Sequence, residues 1–311
     1  MVMRMTGLGR KGRRDRRTAI LLAALLVVAF QAGCAPAIFL KYREDPALYA
    51  EPPRNAITFW GHACSYIDIE GFGIVTDPVF ETRYSVFHKR KIPSPPPQAF
   101  DQTSVVLISH AHLDHLHPET LARFASHTVV LCPAPAAKKA RESGRWVTVM
   151  KPGDEFAFPG GTITAVLADH PGGRSSRKAR ADGGALGYVI CTPRLTIYYS
   201  GDTEYFAGIA QIGERYRPDI AILNVNVHLK SEDAVRAAKA LGMPVVIPTH
   251  TGAYDGPHAG RDLRYRSEFA KMLGPLAVPL KVGESLPLPG YSKAPADSGG
   301  APTPSAGRSA G

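Results

Sequence analysis

The stretch of sequence that decides the fold is VVLISHAHLDHLH, residues 105–117. It opens with four apolar residues, three of them β-branched, a composition typical of a short buried strand. Four of the chain's 11 histidines and one aspartate follow directly. Because side chains two apart in an extended backbone point the same way, His110 and His112 can converge on one ion. The stretch therefore predicts a metal site at the end of a core strand, where α/β proteins build their sites.

Three other polar positions repeat this arrangement, a ligand placed soon after an apolar run. His170, Asp202 and His250 each follow a short apolar segment. Imidazole and carboxylate groups are the ligands that hold Zn²⁺ and similar divalent ions. The alternative, a solvated loop rich in histidine, explains neither the H-x-H-x-D-H spacing nor this recurrence. We therefore expect separate strand ends to bring the ligands together.

Five further motifs, read in chain order around the H-x-H-x-D-H motif, resemble the metallo-β-lactamase superfamily. They are T-F-W-G-H-A at 58–63, T-D-P-V-F at 76–80, D-H at 169–170, S-G-D-T at 200–203 and P-T-H at 248–250. The resemblance spans about residues 56 to 250 and implies an α/β fold, an αββα sandwich of metallo-β-lactamase type. Periodicity by itself indicates only a mixed α/β class.

Two of the segments narrow the resemblance further. The T-D-P-V-F segment and residues 228–235 are similar to the branch that holds the N-acyl-phosphatidylethanolamine phospholipases D and the L-ascorbate phosphate lactonases. In that branch His228 resembles a substrate-side histidine that transfers a proton. The alternative role for His228 is to cap the helix expected at 231–241, for which Ser231 is the expected N-cap.

The resemblance implies a centre of two divalent metal ions held by seven side chains. His110, His112 and His170 hold the first ion, Asp114, His115 and His250 hold the second, and Asp202 bridges the two. Zinc is the first expectation, with manganese or iron as alternatives, because histidine and carboxylate ligands suit all three. A metal-bound hydroxide is then the expected nucleophile, and Asp114 combines its ligand role with that of a proton acceptor.

Two other histidines near the motifs are expected outside the ligand set. His62 resembles a family position close to the metals without being a ligand, and His117 is expected to lie behind the ligands. The remaining histidines, among them His88, are expected at the surface. Cys64, Cys132 and Cys191 lie beside apolar residues, so small buried side chains are expected there.

The charge of the chain does not argue for a nucleic-acid partner. The net charge is +10, but residues 1–33 hold seven basic residues against one acid and account for +6 of it. The remaining +4 leaves the folded part only mildly basic. The length suits one large domain with tails, and a chain of that size buries an ample core without disulfides.

The first 34 residues predict an export signal. A basic start precedes 12 apolar residues at 19–30, fewer than the ~20 of a spanning helix, and small residues then follow, as in a secretory signal. Gly33-Cys34 resembles a bacterial lipobox, although Gln31 stands where leucine is usual, so a lipid is expected on Cys34. A plain cleaved signal is one alternative. An uncleaved anchor helix is the other, since apolar residues continue to Leu40.

This reading divides the chain into four parts and places it at a membrane. The signal occupies 1–34, a proline-containing tether 35–55, the hydrolase domain 56–290, and a disordered tail rich in Ala, Pro, Ser and Gly 291–311. We expect an exported bacterial protein that faces the periplasm and is attached by its lipid. The alternative is attachment to the inner membrane by the N-terminal helix.

The expected substrate follows from two basic loops. Arg174 opens a basic segment that also holds Arg177, Lys178 and Arg180. It predicts an anionic substrate group, since arginine matches phosphate geometry, with a solvated loop as the alternative. A second loop is expected to rest on an anionic lipid surface; its basic and aromatic residues are Tyr84, Phe87, Lys89, Arg90 and Lys91.

From these features we first expect a phosphodiesterase that acts on phospholipid-like substrates of N-acylphosphatidylethanolamine type. Arg174 and His228 are expected to bind the substrate. A lactonase or esterase acting on a small metabolite, phosphorylated or not, is the alternative. A non-catalytic binding protein with a vestigial site is a second alternative, which the complete ligand set disfavours. β-Lactam hydrolysis fits the superfamily but not the branch.

Overall fold

The computed structural model describes residues 51–85, 87–170, 184–256 and 259–291. The chain divides into two units, Met1–Arg43 and Glu44–Gly311, and every described residue belongs to the second unit. The predicted signal with Cys34, the basic segment with Arg174, and residues 292–311 of the predicted tail lie outside the described residues.

Fifteen strands and six α-helices are found in the described part of the chain. The strands are β1 (Ala56–Gly61), β2 (Cys64–Ile69), β3 (Phe72–Thr76), β4 (Arg83–Ser85), β5 (His88–Lys89), β6 (Thr103–Leu107), β7 (Val129–Pro133), β8 (Trp146–Met150), β9 (Glu155–Phe158), β10 (Gly161–Leu167), β11 (Leu186–Cys191), β12 (Thr196–Tyr199), β13 (Ile220–Asn224), β14 (Val245–Thr249) and β15 (Ser285–Pro287). The helices are α1 (Pro97–Asp101), α2 (Pro118–Leu121), α3 (Ala134–Arg141), α4 (Gly208–Tyr216), α5 (Ser231–Ala240) and α6 (Ala259–Leu273), followed by a 3₁₀ turn at Gly274–Leu276.

The strands form two large mixed sheets and one small hairpin. The first sheet has the order β15-β1-β2-β3-β6-β7-β8, and the second has the order β14-β13-β12-β11-β10-β9. In each sheet an antiparallel part continues into a parallel part: β3, β6, β7 and β8 are parallel in the first, and β12, β13 and β14 in the second. β4 and β5 pair separately as the hairpin.

Alternation along the strands explains why the two sheets stack. Ile67 and Ile69 of β2 lie in an apolar cluster that also contains Ile163 and Tyr188 of the second sheet. Tyr66, directly before Ile67 in sequence, lies in a different cluster on the outer face. Since successive side chains of a strand point to opposite faces, each sheet has one face toward the other sheet and one toward helices.

Helices cover both outer faces. Phe100 of α1 and Leu121 of α2 pack on the first sheet, together with the alanine-rich face of α3. Ile209 of α4, Ala234 of α5 and Phe269 of α6 pack on the second. The order of layers is helix, sheet, sheet, helix, so the predicted αββα sandwich is confirmed.

Several local expectations were wrong. The second basic loop, which was expected to lack regular structure and holds Phe87 and Lys91, contains the β4–β5 hairpin, and α1 follows it. α5 begins at Ser231 with Lys230 at its N-cap, so Ser231 is not the cap; its hydroxyl instead contacts α6, 3.0 Å from Glu268 Oε2. Helices α3, α4 and α6 were not anticipated. None of the described helices has the length and apolar character to cross a membrane.

Candidate metal centre

Polar residues at the carboxyl ends of five strands meet at one edge of the sandwich. Asp77 follows β3, His110 follows β6, His170 follows β10, Asp202 follows β12 and His250 follows β14. β6 is parallel to β3, and β14 is parallel to β13 and β12. β10 also runs in the direction of β12, because each is antiparallel to β11 between them. The recurrence of a ligand after an apolar run thus reflects a real convergence of strand ends.

Three imidazoles form the first metal-binding group. Nε2 of His110 lies 2.8 Å from Nδ1 of His112, which lies 3.2 Å from Nε2 of His170. One ligand atom from each residue lies within 4.8 Å of the others. A divalent ion held between the three ring nitrogens would satisfy all of them. The structure thus places together the three ligands predicted for the first ion.

A second group lies beside the first. Nε2 of His115 is 3.3 Å from Nε2 of His250, and Oδ2 of Asp114 is 3.6 Å and 3.7 Å from these two nitrogens. The ligand atoms of these residues and of His62 fit within the same 4.8 Å limit. The three predicted ligands of the second ion are thus also neighbours, and a nitrogen–oxygen donor set of this kind fits a divalent ion.

Asp202 stands between the two groups. Its Oδ2 is 3.6 Å from Nε2 of His115, and its Oδ1 is 3.5 Å from Nε2 of His250. It also belongs to a group with His170 of the first site and with His228. These contacts fit the bridging position that the sequence predicts.

Two asparagines that the sequence reasoning missed hold Asp202 in place. Asn224, the last residue of β13, and Asn226 each donate from Nδ2 to Oδ1 of Asp202 at 3.0 Å. Both are buried. A ligand held by two fixed donors keeps its free oxygen directed into the site, which supports geometry at the predicted metals.

Asp77, in the T-D-P-V-F segment, fixes the ring orientation of two predicted ligands. Its Oδ2 accepts hydrogen bonds from Nδ1 of His115 at 2.7 Å and from Oγ of Ser109 at 2.5 Å. Because the Ser109 hydroxyl donates to Asp77, its oxygen accepts from Nδ1 of His110, 2.9 Å away. Both histidines therefore direct Nε2 into the centre, one in each predicted site. Tyr199 also donates to Oδ2 of Asp77.

The pKa values of four predicted ligands favour neutral imidazoles. Burial lowers the pKa of His170 to about 3 and that of His250 to about 4. Burial also lowers the pKa of His110 and of His112. A neutral ring offers a lone pair, so these residues are ready to bind a metal.

The remaining ligands form a charged cluster. Burial acts to lower the pKa of His115, but Asp202, with Asp114 and Asp77, outweighs it and raises that pKa well above its ordinary value. Burial acts to raise the pKa of Asp114 and of Asp202, but the surrounding histidines hold both well below the ordinary value. His115 therefore holds a proton when no metal is bound, and a metal must replace that proton.

His62 lies beside the second group, close to the predicted metals as expected. Its Nε2 is 3.2 Å from Oδ2 of Asp114, on the side of the second group. The backbone holds it there, since its N–H donates to the carbonyl of Thr251 and its carbonyl accepts from the N–H of His250, each at 2.6 Å. His62 and His250 have positive φ angles, 57° and 71°, which non-glycine residues adopt rarely.

His117 has a different role from the one expected. It is the N-cap of α2, and its Nδ1 accepts from the backbone N–H of Thr120 at 3.3 Å. Glu119 Oε2 also lies 3.3 Å from the same nitrogen. This cap comes directly after the loop that carries the ligands His110 to His115, and it fixes the point at which α2 begins.

A cavity of about 160 Å³ opens onto these groups. Its walls include the predicted ligands His112, Asp114, Asp202 and His250, and also His228 and His88. His228, the predicted substrate-side residue, lies with its ring centre 4.5 Å from that of His170. His88, expected at the surface, lies on β5 and lines the cavity. This position depends on the β4–β5 hairpin, which was not predicted from the sequence.

The loop expected to rest on lipid is only partly available for that role. Arg90 is buried, and its guanidinium donates to the carbonyls of Val79 and Pro93. Lys91 pairs with Asp255 at 2.6 Å. Phe87 is 68% exposed, so the aromatic tip of the loop faces outward while its arginine anchors it.

Comparisons with known proteins agree with this geometry. A family described as the beta-lactamase superfamily domain matches residues 73–251. A UPF0173 metal-dependent hydrolase of Thermoplasma volcanium is 31% identical over 235 residues, which are 75% of this chain and 98% of that protein.

Two solved structures show the same fold. A possible metal-dependent hydrolase of Veillonella parvula superposes with a TM-score of 0.61 at 16% identity, covering 76% of this chain and 100% of that one. An isothiocyanate hydrolase from Delia radicum gut bacteria superposes with a TM-score of 0.59 at 20% identity, covering 74% and 98%.

Proposed function

Because this chain belongs to the metallo-β-lactamase superfamily and to its UPF0173 metal-dependent hydrolases, we propose that it binds two divalent ions and hydrolyses a small neutral ester or lactone. The observation that carries the substrate class is the cavity at the ligand groups. At about 160 Å³ it is smaller than the ~300–1,000 Å³ typical of sites for drug-sized ligands. It accommodates the bond to be cleaved and a few atoms on either side.

The chemistry of the cavity wall supports a neutral substrate. Histidines and aspartates dominate, and none of the lining residues in the described part of the chain is arginine or lysine. A phosphate group binds best where such cations meet it. A carboxylic ester or lactone needs no cation beyond the metals.

The described residues have distinct tasks in such a hydrolysis. When bound, divalent ions activate water and polarise the bond to be cleaved. Asp202, fixed by Asn224 and Asn226, keeps the two ion sites in register. His228, at the cavity wall beside His170, is placed to bind the substrate and to pass a proton to the leaving oxygen. Asp114, hydrogen-bonded to His62, is the proposed proton acceptor at the second site.

A phosphodiesterase acting on a phospholipid-like substrate is the second candidate. Phe87 is 68% exposed and is followed directly by His88, which lines the cavity. An apolar side chain at the mouth of a site suits a lipid surface. In this case only the headgroup enters the cavity, and Arg174 supplies the phosphate contact.

A substrate screen separates the two candidates. Purified protein loaded with zinc, manganese or iron is assayed on small lactones, aryl esters, bis-aryl phosphodiesters and N-acylated phospholipids. We expect turnover of lactones or esters to exceed that of both phosphorus substrates. Preferential cleavage of the N-acylated phospholipid, lost in Arg174→Ala, would replace the first candidate with the second.

A substitution at the proposed bridge tests the two-metal mechanism. Asp202→Asn removes the charge that both sites share and should lower turnover by more than about 100-fold, since even the loss of an outer-shell partner costs about 10–100-fold. Metal analysis should show fewer bound ions per chain than in the parent. Asp101→Asn, at an exposed position on α1, is the matched control. Two bound ions and near-normal turnover in Asp202→Asn would rule out the bridge.

A further inference from the structure

The geometry points to Asp262 as a positioning residue for His250: its carboxylate accepts the Nδ1 hydrogen of that ring and thereby directs Nε2 toward the second ion. This inference rests on the two-metal centre proposed above. It concerns a residue outside the matched family segment, which ends at residue 251.

His250 and Asp262 each have a buried polar atom without a hydrogen-bond partner among the described residues. Nδ1 of His250 and Oδ1 of Asp262 are buried, and neither has a hydrogen-bond partner among the described residues. Oδ2 of Asp262 lies 3.9 Å from that same Nδ1. The oxygen of Asp262 that faces this unpartnered nitrogen is Oδ2, and Oδ1 is the oxygen without a partner. A hydrogen bond from Nδ1 to the carboxylate would satisfy the buried nitrogen.

Two of the other ligands, His110 and His115, show what His250 lacks. Nδ1 of His115 donates to Asp77, and Nδ1 of His110 donates to Ser109. Histidine ligands almost always donate their second ring N–H to a carboxylate, carbonyl or water, and this bond sets the ring orientation. For His250, Asp262 is the carboxylate on that side of the ring. The distance is longer than a hydrogen bond, so the contact would have to shorten in the metal-bound protein.

The position of Asp262 on α6 makes this role possible. Asp262 lies in the first turn of a 15-residue helix, and it is only 8% exposed although it is an aspartate. Further along the helix, Phe269 and Leu273 pack on the second sheet. The helix is therefore fixed to the sheet whose edge strand, β14, ends directly before His250.

Metal titration of the purified full chain tests the inference without relying on turnover. Zinc affinity is measured by competition with a chromophoric chelator for the parent, Asp262→Ala, Asp262→Asn and Asp233→Asn. Asp233 also lies in the first turn of a helix, α5, but pairs with Arg236 at the surface, so its variant is the matched control.

We expect Asp262→Ala to weaken one of the two zinc sites, the one that His250 helps to hold, by about 10–100-fold. The other site and the Asp233→Asn control should be unchanged. Asp262→Asn should recover much of the loss, because its amide oxygen still accepts the Nδ1 hydrogen. In the cobalt-loaded parent, the exchangeable Nδ1 proton of His250 should give a shifted NMR signal that Asp262→Ala removes.

Three results would overturn the inference. The first is zinc affinity in Asp262→Ala within about twofold of the parent at both sites. The second is an equal loss at both sites with a lower melting temperature of the metal-free protein, which indicates general structural damage. The third is a parent that binds no ion through His250, and the parent's own zinc stoichiometry identifies that case as a failure of the two-metal proposal.

Discussion

At the scale of single residues, one carboxylate sets the ring orientation of a histidine ligand in each of the two predicted metal sites. Asp77 accepts from His115 directly and from His110 through Ser109. Asp77→Asn replaces an acceptor by a group that can also donate, so both rings lose the constraint that directs Nε2 inward. We expect zinc affinity at both sites to fall by about 10–100-fold, as measured by chelator competition. A loss confined to the site of His115 would show that the hydrogen bonds from Asp77 through Ser109 to His110 have no effect.

Single residues also show what the sequence could and could not reveal about the site. The seven predicted ligands share a signal, a histidine or aspartate placed soon after an apolar run or within H-x-H-x-D-H. Asn224 and Asn226 lack it, because an asparagine after a strand is equally typical of a turn. His62 was expected near the metals, yet its 3.2 Å contact with Asp114 depends on two loops from distant parts of the chain. No local pattern encodes such a contact.

At the scale of elements, α6 shows why part of the fold escaped prediction. Its buried residues are Asp262, Phe269 and Leu273, whereas Leu263 and Met272 are more than half exposed. An apolar face at helical spacing is the signal for an amphipathic helix, and here a buried aspartate and two exposed apolar residues obscure it. By contrast, the apolar runs of β6, β10, β12 and β14, which precede the predicted ligands, were recognised from the sequence.

The packing of α6 gives a prediction at this scale. Phe269 is fully buried against the second sheet, so Phe269→Ala should lower the free energy of unfolding by about 3–5 kcal/mol. Urea unfolding of the metal-free protein measures this loss. Leu263→Ala, at a position 54% exposed on the same helix, should change it by less than about 0.5 kcal/mol. Equal effects of the two substitutions would contradict the packing of this helix.

At the scale of the whole molecule, the proposed attachment to a membrane depends on residues before the folded unit. If a lipid on Cys34 is the sole anchor, Cys34→Ser should move the protein from the membrane fraction to the soluble fraction of bacterial cells. Immunoblotting of the two fractions measures the change. Retention of the variant in membranes would instead support an uncleaved N-terminal helix. Activity in detergent should be the same in both forms, because the substitution lies outside the residues proposed to bind the metals.

The buried histidines link the stability of the whole domain to pH. Their ordinary pKa is 6.5, but in the folded protein those of His170 and His250 are about 3 and 4. Below pH 6.5 the unfolded chain therefore binds protons that the folded chain does not bind. The free energy of unfolding falls as the pH falls toward 4. His115 has a raised pKa, so its contribution is fully present below 6.5 and does not oppose this fall. Urea midpoints of metal-free protein between pH 7 and 4 should decrease accordingly.

Removal of one of these histidines isolates the cause of the acid sensitivity. His170→Gln should make the urea midpoint fall less steeply with pH, whatever its effect on stability at pH 7. The variant lacks one group that binds a proton in the unfolded chain but not in the folded chain. His127→Asn, at an exposed position, should leave the slope unchanged. Added zinc should steepen the slope, because the ion must displace the proton that His115 holds among its three carboxylates. A metal-free midpoint that stays constant from pH 6.5 to 4 would mean that the ligand imidazoles are accessible to protons in the folded state.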